Sequence, residues 1–139
     1  MSIVSKHTVA VGWGDCDPAG IVFYPNYFAW FDAATHLMFR MAGMPLDAVE
    51  RRFGVWFPLA EATARFLRPS RYGQTIEFQT AVEIWHEKRM TMLHQGYRDG
   101  DLLIEGREIR FCGGPHPDDP ERLRSVPIPR EIIEAFKEC

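Results

Sequence analysis

One long segment, between residues 25 and 42, limits the folds that this chain can adopt. Apolar side chains recur there at steps of three and four residues, which predicts a helix that Gly43 ends: Tyr27, Trp30, Phe31, Ala34, Leu37, Met38 and Met41. Phe28, Ala29, Ala33 and Phe39 fill much of the remaining circumference, so we expect the helix to be buried on most sides. A sheet wrapped around the helix would bury it in this way.

The rest of the chain predicts the strands that such a sheet needs. Apolar and polar side chains alternate within each strand, and turn residues separate one strand from the next. The predicted elements are a strand at residues 6–13, a short helix from Pro45 to about Phe53, a strand that starts at Leu59 and ends before Pro69, strands around 76–84 and 90–92, a hairpin turn at Asp99-Gly100 into a strand at 102–112, a short strand at 122–126 and a helix begun by Pro129. This pattern predicts an α+β fold, with an antiparallel sheet of five to six strands in meander order around one long central helix.

Length and charge narrow the class of protein. A chain of 139 residues with 46% hydrophobic and 25% charged residues suits a single domain spanning residues 1–139. A net charge of -3 argues against nucleic acid or an anionic membrane as a partner, because both favour a basic surface. The first seven residues lack the apolar core of a signal peptide and no later apolar run reaches membrane-spanning length, so we expect a cytoplasmic protein.

Cysteine, histidine and serine residues supply no motif of their own. Cys16, Cys112 and Cys139 have neither the even count of a disulfide framework nor the paired spacing of a zinc site, so we expect reduced thiols. The five histidines form no short metal-ligand motif, and we predict no metal. No serine lies in a Gly-x-Ser-x-Gly elbow, which disfavours a serine hydrolase.

An acidic loop precedes the long helix and is the best candidate for chemistry. Pro18 keeps Asp17 out of the helical region and Gly20 allows unusual backbone geometry, so the Asp17 carboxylate sits on a defined turn. The helix that follows offers unpaired N–H groups that can polarise a carbonyl. Asp15 and Asp17 would serve equally well as turn or capping residues, with Asp15 as a second candidate catalyst and Cys16 as a candidate for covalent transfer.

The loop carries a family resemblance. The pattern Asp17-x-x-Gly20-x-Val22-x-Tyr24-x-x-Tyr27 resembles the hotdog-fold acyl-CoA thioesterases, and DCDPAGIVFYPNY is similar to their 4-hydroxybenzoyl-CoA thioesterase branch. The resemblance implies hydrolysis of an acyl-CoA with an aromatic acyl group. Asp17 would be nucleophile or general base, and the backbone N–H of Tyr24 would polarise the thioester carbonyl. Thioesterases of short or branched aliphatic acyl-CoAs and a non-catalytic acyl-CoA or partner-binding module stay open as alternatives.

The same resemblance implies how substrate and subunits are arranged. CoA is part of the substrate, so no cofactor is expected, and the protein would be a homo-oligomer, a dimer or tetramer with shared active sites. We predict substrate contacts at Gly20, Phe23, Asp32 and Pro58. Asp32 shares a helical stripe with His36 and Arg40 and would reach the far end of the acyl group; an ordinary charge ladder is the alternative for that stripe.

Basic residues near the middle and the end of the chain are candidates for the CoA phosphates. Lys88 and Arg89 follow His86-Glu87 at a predicted strand junction, where a solvated turn would be the ordinary interpretation. Related thioesterases use basic residues in this region, so we predict CoA contacts at Lys88, Arg89 and Arg124, with Arg122 as a weaker candidate.

Overall fold

The computed structural model describes residues 3–137. Cys139, whose thiol we expect to be reduced, lies outside them, as do the first two residues of the amino-terminal segment. The elements are β1 (Ser5–Ala10), a 3-10 turn (Trp13–Asp15), α1 (Pro25–Met41), α2 (Leu46–Phe53), β2 (Leu59–Phe66), β3 (Thr75–Trp85), β4 (Arg89–Arg98), β5 (Asp101–Phe111), β6 (Gly113–Pro115), β7 (Leu123–Ser125) and α3 (Arg130–Lys137). The predicted sequence of elements is confirmed except at β6, which was not predicted: Gly113 and Gly114 are buried and pair with β7. Strand β1 ends at Ala10 because Trp13 opens the 3-10 turn.

Five antiparallel strands form the main sheet in the order β1-β3-β4-β5-β2. Strands β3, β4 and β5 form the predicted meander, and Asp99 and Gly100 turn from β4 to β5 with φ of 52° and 82°. The meander order is wrong for β2, because β1 occupies the outer side of β3 and β2 pairs with the far side of β5 instead. Strands β1 and β2 are therefore the two edges of the sheet.

Helix α1 lies across the sheet and buries one face against it. The buried residues are Tyr27, Phe31, Ala34, Thr35, Met38 and Phe39. Ala29, Asp32, Ala33 and Arg40 are exposed. The expectation of burial on most sides is therefore wrong for a single chain, since five strands cover only one side of the helix. Among residues 3–137, no helix combines the length and the hydropathy needed to cross a membrane.

The loop before α1 is held in place by backbone hydrogen bonds within the loop and to the segment that links β2 to β3. Val22 N–H donates to the Ser70 carbonyl over 2.9 Å, and Phe23 N–H donates to the Asp15 carbonyl over 2.8 Å. The Asn26 side-chain amide donates to the same Asp15 carbonyl over 2.8 Å. The loop is thereby fixed to the start of the helix and to the segment that links β2 to β3.

Candidate active site

Asp17 lies on a closed turn at the amino-terminal end of α1. Its backbone N–H donates to the Ile21 carbonyl, and Gly20 N–H donates to the Asp17 carbonyl, each over 2.9 Å. Gly20 has a φ of 78°, the left-handed region that glycine adopts without strain. Asp17 Oδ1 accepts a hydrogen bond from Ala19 N–H over 2.9 Å. The turn thus uses one carboxylate oxygen of Asp17 and holds the half-buried side chain in place.

Asp15 and Cys16, the two alternative catalysts, have other partners. Asp15 Oδ2 accepts a hydrogen bond from Gly12 N–H over 2.8 Å, which is a capping contact for the 3-10 turn. The Cys16 thiol lies 3.7 Å from the Gly12 carbonyl oxygen. The other described thiol, Cys112, is fully buried, and burial raises its pKa to about 11. Neither thiol has the basic partner that would activate it.

The Tyr24 backbone N–H is an available hydrogen-bond donor. Tyr24 precedes Pro25, the first residue of α1, so its N–H belongs to the unpaired amino-terminal end of the helix. Within the part of the chain that the structure describes, this N–H has no hydrogen-bond partner. The positive end of the helix dipole reinforces its attraction for a carbonyl oxygen or an oxyanion.

Asp17 and Tyr24 line one cavity. Its volume is about 410 Å³, and its walls are mostly apolar, with Tyr27, Phe66 and Leu67 among them. The structure therefore brings the two residues predicted to carry the chemistry to a single apolar space. Asp17 also borders a second space of about 510 Å³, on the side of Gly20. A thioester placed at Asp17 would have room on both sides.

Phe23, predicted to contact substrate, does not line either of these spaces. Its ring is half exposed and meets the Tyr24 ring edge-on, with centroids 5.5 Å apart. In a single chain it supports Tyr24 from outside the cavity.

Asp32 and Pro58 lie together, away from Asp17. Asp32 Oδ1 accepts a hydrogen bond from Arg110 Nη2 over 2.7 Å and lies 3.5 Å from His36 Nε2. Arg110 Nη1 donates to the Phe57 carbonyl, the residue before Pro58, over 3.0 Å. Neither Asp32 nor Pro58 lines a cavity beside Asp17. One buried arginine thus links Asp32 to the backbone of the residue before Pro58.

A buried polar cluster beneath Asp32 was missed by the sequence analysis. Glu108 accepts hydrogen bonds from Arg110, from His94 Nε2 over 3.0 Å and from the Thr35 hydroxyl. The other ring nitrogen of His94 lies 2.8 Å from the Thr80 hydroxyl. His94 thus bridges β3 and β5, with one ring nitrogen facing the Thr80 hydroxyl and the other facing Glu108. The sequence held one signal for this cluster. Glu108 and Arg110 are two residues apart on β5, so both side chains point to the same face of the strand.

The charges of this cluster stabilise one another. Burial alone would raise the pKa of Glu108, but hydrogen bonds from His94 and Arg110 outweigh it and lower the pKa to about 2. Burial alone would lower the pKa of Arg110, and its contacts with Glu108 and Asp32 raise it instead. Glu108 is therefore a carboxylate and Arg110 a guanidinium at neutral pH.

The predicted CoA-binding residues lie at the other end of the sheet from Asp17. Lys88 and Arg89 border a space of about 480 Å³ at the β3–β4 hairpin, together with Ser125, and Arg124 is the neighbouring residue on β7. The Asp17 loop follows the end of β1 that pairs with the start of β3, whereas Lys88 follows the end of β3. The length of β3 separates the two ends by roughly 30 Å. One chain does not bring these residues to Asp17.

No metal site accompanies these residues. Across residues 3–137, no group of three or more His, Cys, Asp or Glu side chains is close enough to hold a metal ion.

Comparison with known proteins identifies the family. The profile of the Thioesterase-like superfamily matches residues 11–136, so the chain belongs to that superfamily. It is 34% identical over 131 residues to 4-hydroxybenzoyl-CoA thioesterase from Pseudomonas sp. strain CBS-3, which covers 89% of this chain and 91% of the relative. It is 24% identical over 133 residues to the acyl-CoA thioester hydrolase YbgC of Escherichia coli O157:H7, which covers 94% of this chain and 93% of that protein.

Solved structures agree with this assignment. A mutant of 4-hydroxybenzoyl CoA thioesterase complexed with 4-hydroxybenzoyl CoA matches with a TM-score of 0.87 and 31% identity, over 96% of this chain and 98% of that one. The gentisyl-coenzyme A thioesterase BH1999 matches with a TM-score of 0.81 and 28% identity, over 96% and 100%. The predicted hotdog fold and the predicted thioesterase family are confirmed. The protein is a thioester hydrolase.

Proposed function

We propose that this protein hydrolyses an aromatic acyl-CoA, of the benzoyl or hydroxybenzoyl type, to a free carboxylic acid and CoA. The observation that carries the proposal is the apolar cavity that the Asp17 carboxylate and Tyr24 share, at the amino-terminal end of a helix. The two aromatic acyl-CoA thioesterases named above support the choice of acyl group. CoA enters as part of the substrate, and the proposal needs no cofactor.

The chemistry follows from these two groups. The Tyr24 N–H would polarise the thioester carbonyl and stabilise the oxyanion that forms on it. As a general base, Asp17 would take a proton from a water whose oxygen attacks the carbonyl carbon; as a nucleophile, it would form a mixed anhydride that water then opens. The carbon–sulfur bond breaks in either case, and the thiolate leaves readily because a thiol pKa is about 8.5.

Replacement of Asp17 by Asn tests this role. Asn keeps the volume and the ability to accept the Ala19 N–H, so fold and assembly should be retained. We expect kcat for benzoyl-CoA to fall by roughly two to four orders of magnitude, the range for loss of a general base or an equivalent carboxylate. Asp15→Asn is the matched control, since Asp15 only caps the preceding turn. If Asp17→Asn kept near-parental turnover, the assignment would be wrong.

The acyl group would lie along one stripe of α1. Tyr24, Phe28 and Asp32 follow one another at four-residue steps, so they share a side of the helix. The rise of a helix places Asp32 roughly 12 Å beyond Tyr24. An aromatic ring with a polar group at its far end would extend from Tyr24 toward Asp32. Comparing kcat/KM for hydroxybenzoyl-CoA, benzoyl-CoA and octanoyl-CoA tests the preference, and equal turnover of octanoyl-CoA would reject the aromatic acyl group.

A homo-oligomer with shared sites is part of the same proposal. Strand β2 is an edge of the sheet with exposed backbone and exposed Leu59 and Phe66 side chains. Antiparallel pairing of two β2 strands about a two-fold axis would bring the Phe66 end of one chain, with its Asp17 cavity, to the Leu59 end of the other. That end carries Pro58 and the Lys88–Arg89 hairpin. A dimer would thereby unite residues that one chain keeps apart, and a tetramer would pair two such dimers.

Light scattering at micromolar concentration checks the assembly. Ala62→Pro, in the middle of β2, removes an edge N–H and should shift the protein toward monomers and lower activity with it. Thr63→Ala, on the same strand and outside the Asp17 cavity, serves as a control that leaves the edge N–H groups intact. A fully active monomer would contradict shared sites.

A cytoplasmic location is also proposed, because free Cys16 and Cys112 suit a reducing compartment.

A further inference from the structure

Ser70 is a fully buried polar residue beside the Asp17 loop. It lies in the segment that links β2 to β3, and it is 0% exposed. Its backbone carbonyl accepts the Val22 N–H over 2.9 Å, and its hydroxyl oxygen accepts a hydrogen bond from Arg98 Nη1 over 2.9 Å. One small residue therefore joins the Asp17 loop to the last residue of β4.

Arg98 directs its guanidinium to this segment. Besides the Ser70 hydroxyl, Nη1 reaches the carbonyl of Pro69 over 3.3 Å. Within residues 3–137, no acidic side chain forms an ion pair with Arg98. A guanidinium that is partly withdrawn from water needs acceptors, and two neighbouring residues of one segment supply them here. The contacts of Arg98 thus hold the segment at Pro69 and Ser70 and serve no charge partner.

The segment between β2 and β3 is held at both ends by backbone hydrogen bonds. At one end Leu67 N–H donates to the Leu103 carbonyl over 2.8 Å, and at the other end Gly73 N–H donates to the Val11 carbonyl over 3.0 Å. Between these ends, the Arg98 side chain reaches from β4 to residues 69 and 70. Without that side chain, the carbonyl that holds the acidic loop would have more freedom.

Ser70 also contacts the first turn of α1, through Tyr27. The Tyr27 side chain is 4% exposed and lines the cavity that Asp17 and Tyr24 share. Burial raises the pKa of the Tyr27 phenol, and a side-chain hydrogen bond with Ser70 opposes that rise. A serine hydroxyl can donate one hydrogen bond and accept two, so it can serve Tyr27 and Arg98 together. The loop, the helix and the sheet thus meet at one buried residue.

We propose that Arg98 is a positioning residue for thioester hydrolysis. Through Ser70 it fixes Val22, and with Val22 it fixes the spacing between the Asp17 carboxylate and the Tyr24 N–H. This inference rests on the proposed function, in which both groups act on one carbonyl. Neither Arg98 nor Ser70 lines either of the two spaces at Asp17, so Arg98 acts through the loop and not on the substrate. A displacement of about 1 Å between reacting groups can lower a rate about a hundredfold.

Replacement of Arg98 by Met tests this role, because Met keeps an unbranched side chain but cannot donate a hydrogen bond. We expect kcat for benzoyl-CoA to fall about ten- to a hundredfold while KM changes by less than about threefold, since the chemical step and not substrate binding loses its geometry. Arg98→Lys should recover at least about threefold of that loss, because an ammonium group can donate to the Ser70 hydroxyl or to the Pro69 carbonyl.

A double variant tests the route through Ser70. Ser70→Ala removes the hydroxyl and keeps the carbonyl that accepts the Val22 N–H. We expect the Arg98→Met, Ser70→Ala double variant to be about as slow as Arg98→Met alone, because the second change removes a contact that the first has already broken. If Arg98→Met does not fold, Arg98→Lys and Ser70→Ala are measured alone, and each should lower kcat at least about threefold.

Hydrogen exchange of the Val22 N–H measures the positioning directly. The quantity is the ratio of its exchange rate to the rates of amides in the middle of β3 and β4. In Arg98→Met this ratio should rise at least about fivefold, the equivalent of one weakened hydrogen bond. A general loss of stability would raise the exchange rates of the strand amides as well.

Two control variants separate positioning from stability and from charge. Val49 is fully buried in α2, in a different core cluster from Val22, and Val49→Ala should lower the melting temperature by several degrees and leave kcat unchanged. Arg107 pairs with Glu83 and lines neither space at Asp17, so Arg107→Met is the matched substitution that should leave both kcat and KM unchanged.

The outcomes separate this inference from the function on which it rests. Slower turnover with KM kept, recovery in Arg98→Lys and a raised exchange ratio at Val22 together support the positioning role. Parental kcat in Arg98→Met, a loss confined to KM, multiplied losses in the double variant or an unchanged exchange ratio overturns the role, while thioesterase activity stands. If Asp17→Asn keeps near-parental turnover, the proposed role of Asp17 fails and the inference fails with it.

Discussion

Acid should destabilise this protein through Glu108. Its pKa falls from an ordinary 4.5 to about 2 on folding, because the hydrogen bonds from His94 and Arg110 outweigh the effect of burial. Each pKa unit corresponds to about 1.4 kcal/mol, so ionised Glu108 contributes about 3 kcal/mol to the free energy of unfolding at neutral pH. A lowered pKa in the folded state means that this contribution is complete above pH 4.5 and is lost as the pH falls toward 2. At pH 3 about 2 kcal/mol of it should be gone.

Glu108→Gln isolates this contribution. We expect the variant to be less stable than the parent by a few kcal/mol at pH 7, and the difference to shrink as the pH falls from 4.5 toward 2. Urea unfolding at pH 7, 5, 4 and 3, at one protein concentration, measures both curves. Glu83→Gln is the control, because the Glu83–Arg107 pair is partly exposed and contributes less than about 1 kcal/mol.

One result would refute the reasoning. If parent and Glu108→Gln lost stability in parallel between pH 4.5 and 2, Glu108 would not be an ionised partner of Arg110 in the folded protein. The cluster beneath Asp32 would then lack the charge on which its orientation depends.

Two further predictions concern the core and the CoA site. Gly106→Ala places a Cβ 2.3 Å from the buried Phe31 ring and should lower stability by about 1–3 kcal/mol, whereas Gly14→Ala meets nothing within 4 Å and should be tolerated, as thermal unfolding would show. Joint replacement of Lys88 and Arg89 by Ala should raise KM for acyl-CoA several-fold with little change in kcat, because remote phosphates are bound equally in ground and transition states. An unchanged KM would move the CoA site elsewhere.

Local pattern was enough to predict the helices, the acidic loop and every strand except β6, whose glycine residues give no strand signal. The three- and four-residue steps of α1 and the Asp99-Gly100 turn depend on neighbouring residues, and the structure has both where the sequence predicts them. The pairing of β2 with β5 depends on which edge is free after the whole sheet has formed, and no local signal contains that information.

In the candidate site, too, residues close together in the sequence were predicted and contacts between distant residues were not. Asp17 and Tyr24 lie seven residues apart in one motif, and the structure places them on one cavity. Arg110 and Asp32 are separated by 78 positions, so their contact is invisible to spacing. Lys88 and Arg89 could reach the site only from a second chain. Their predicted contacts with CoA therefore stay predictions.

The edge position of β2 also has a consequence for the order of folding. Strands β3, β4 and β5 are joined by short hairpins, so their pairing closes small loops and can form early. Strand β1 must find partners 65 to 75 residues away, and β2 partners 38 to 51 residues away, each at a larger entropic cost. The β2 edge, which forms the proposed dimer interface, is thus completed late in folding. A newly made chain whose β5 edge is still open could pair with the β2 strand of a neighbouring chain. Chain concentration during synthesis would then govern whether the shared site is built correctly or by strand exchange.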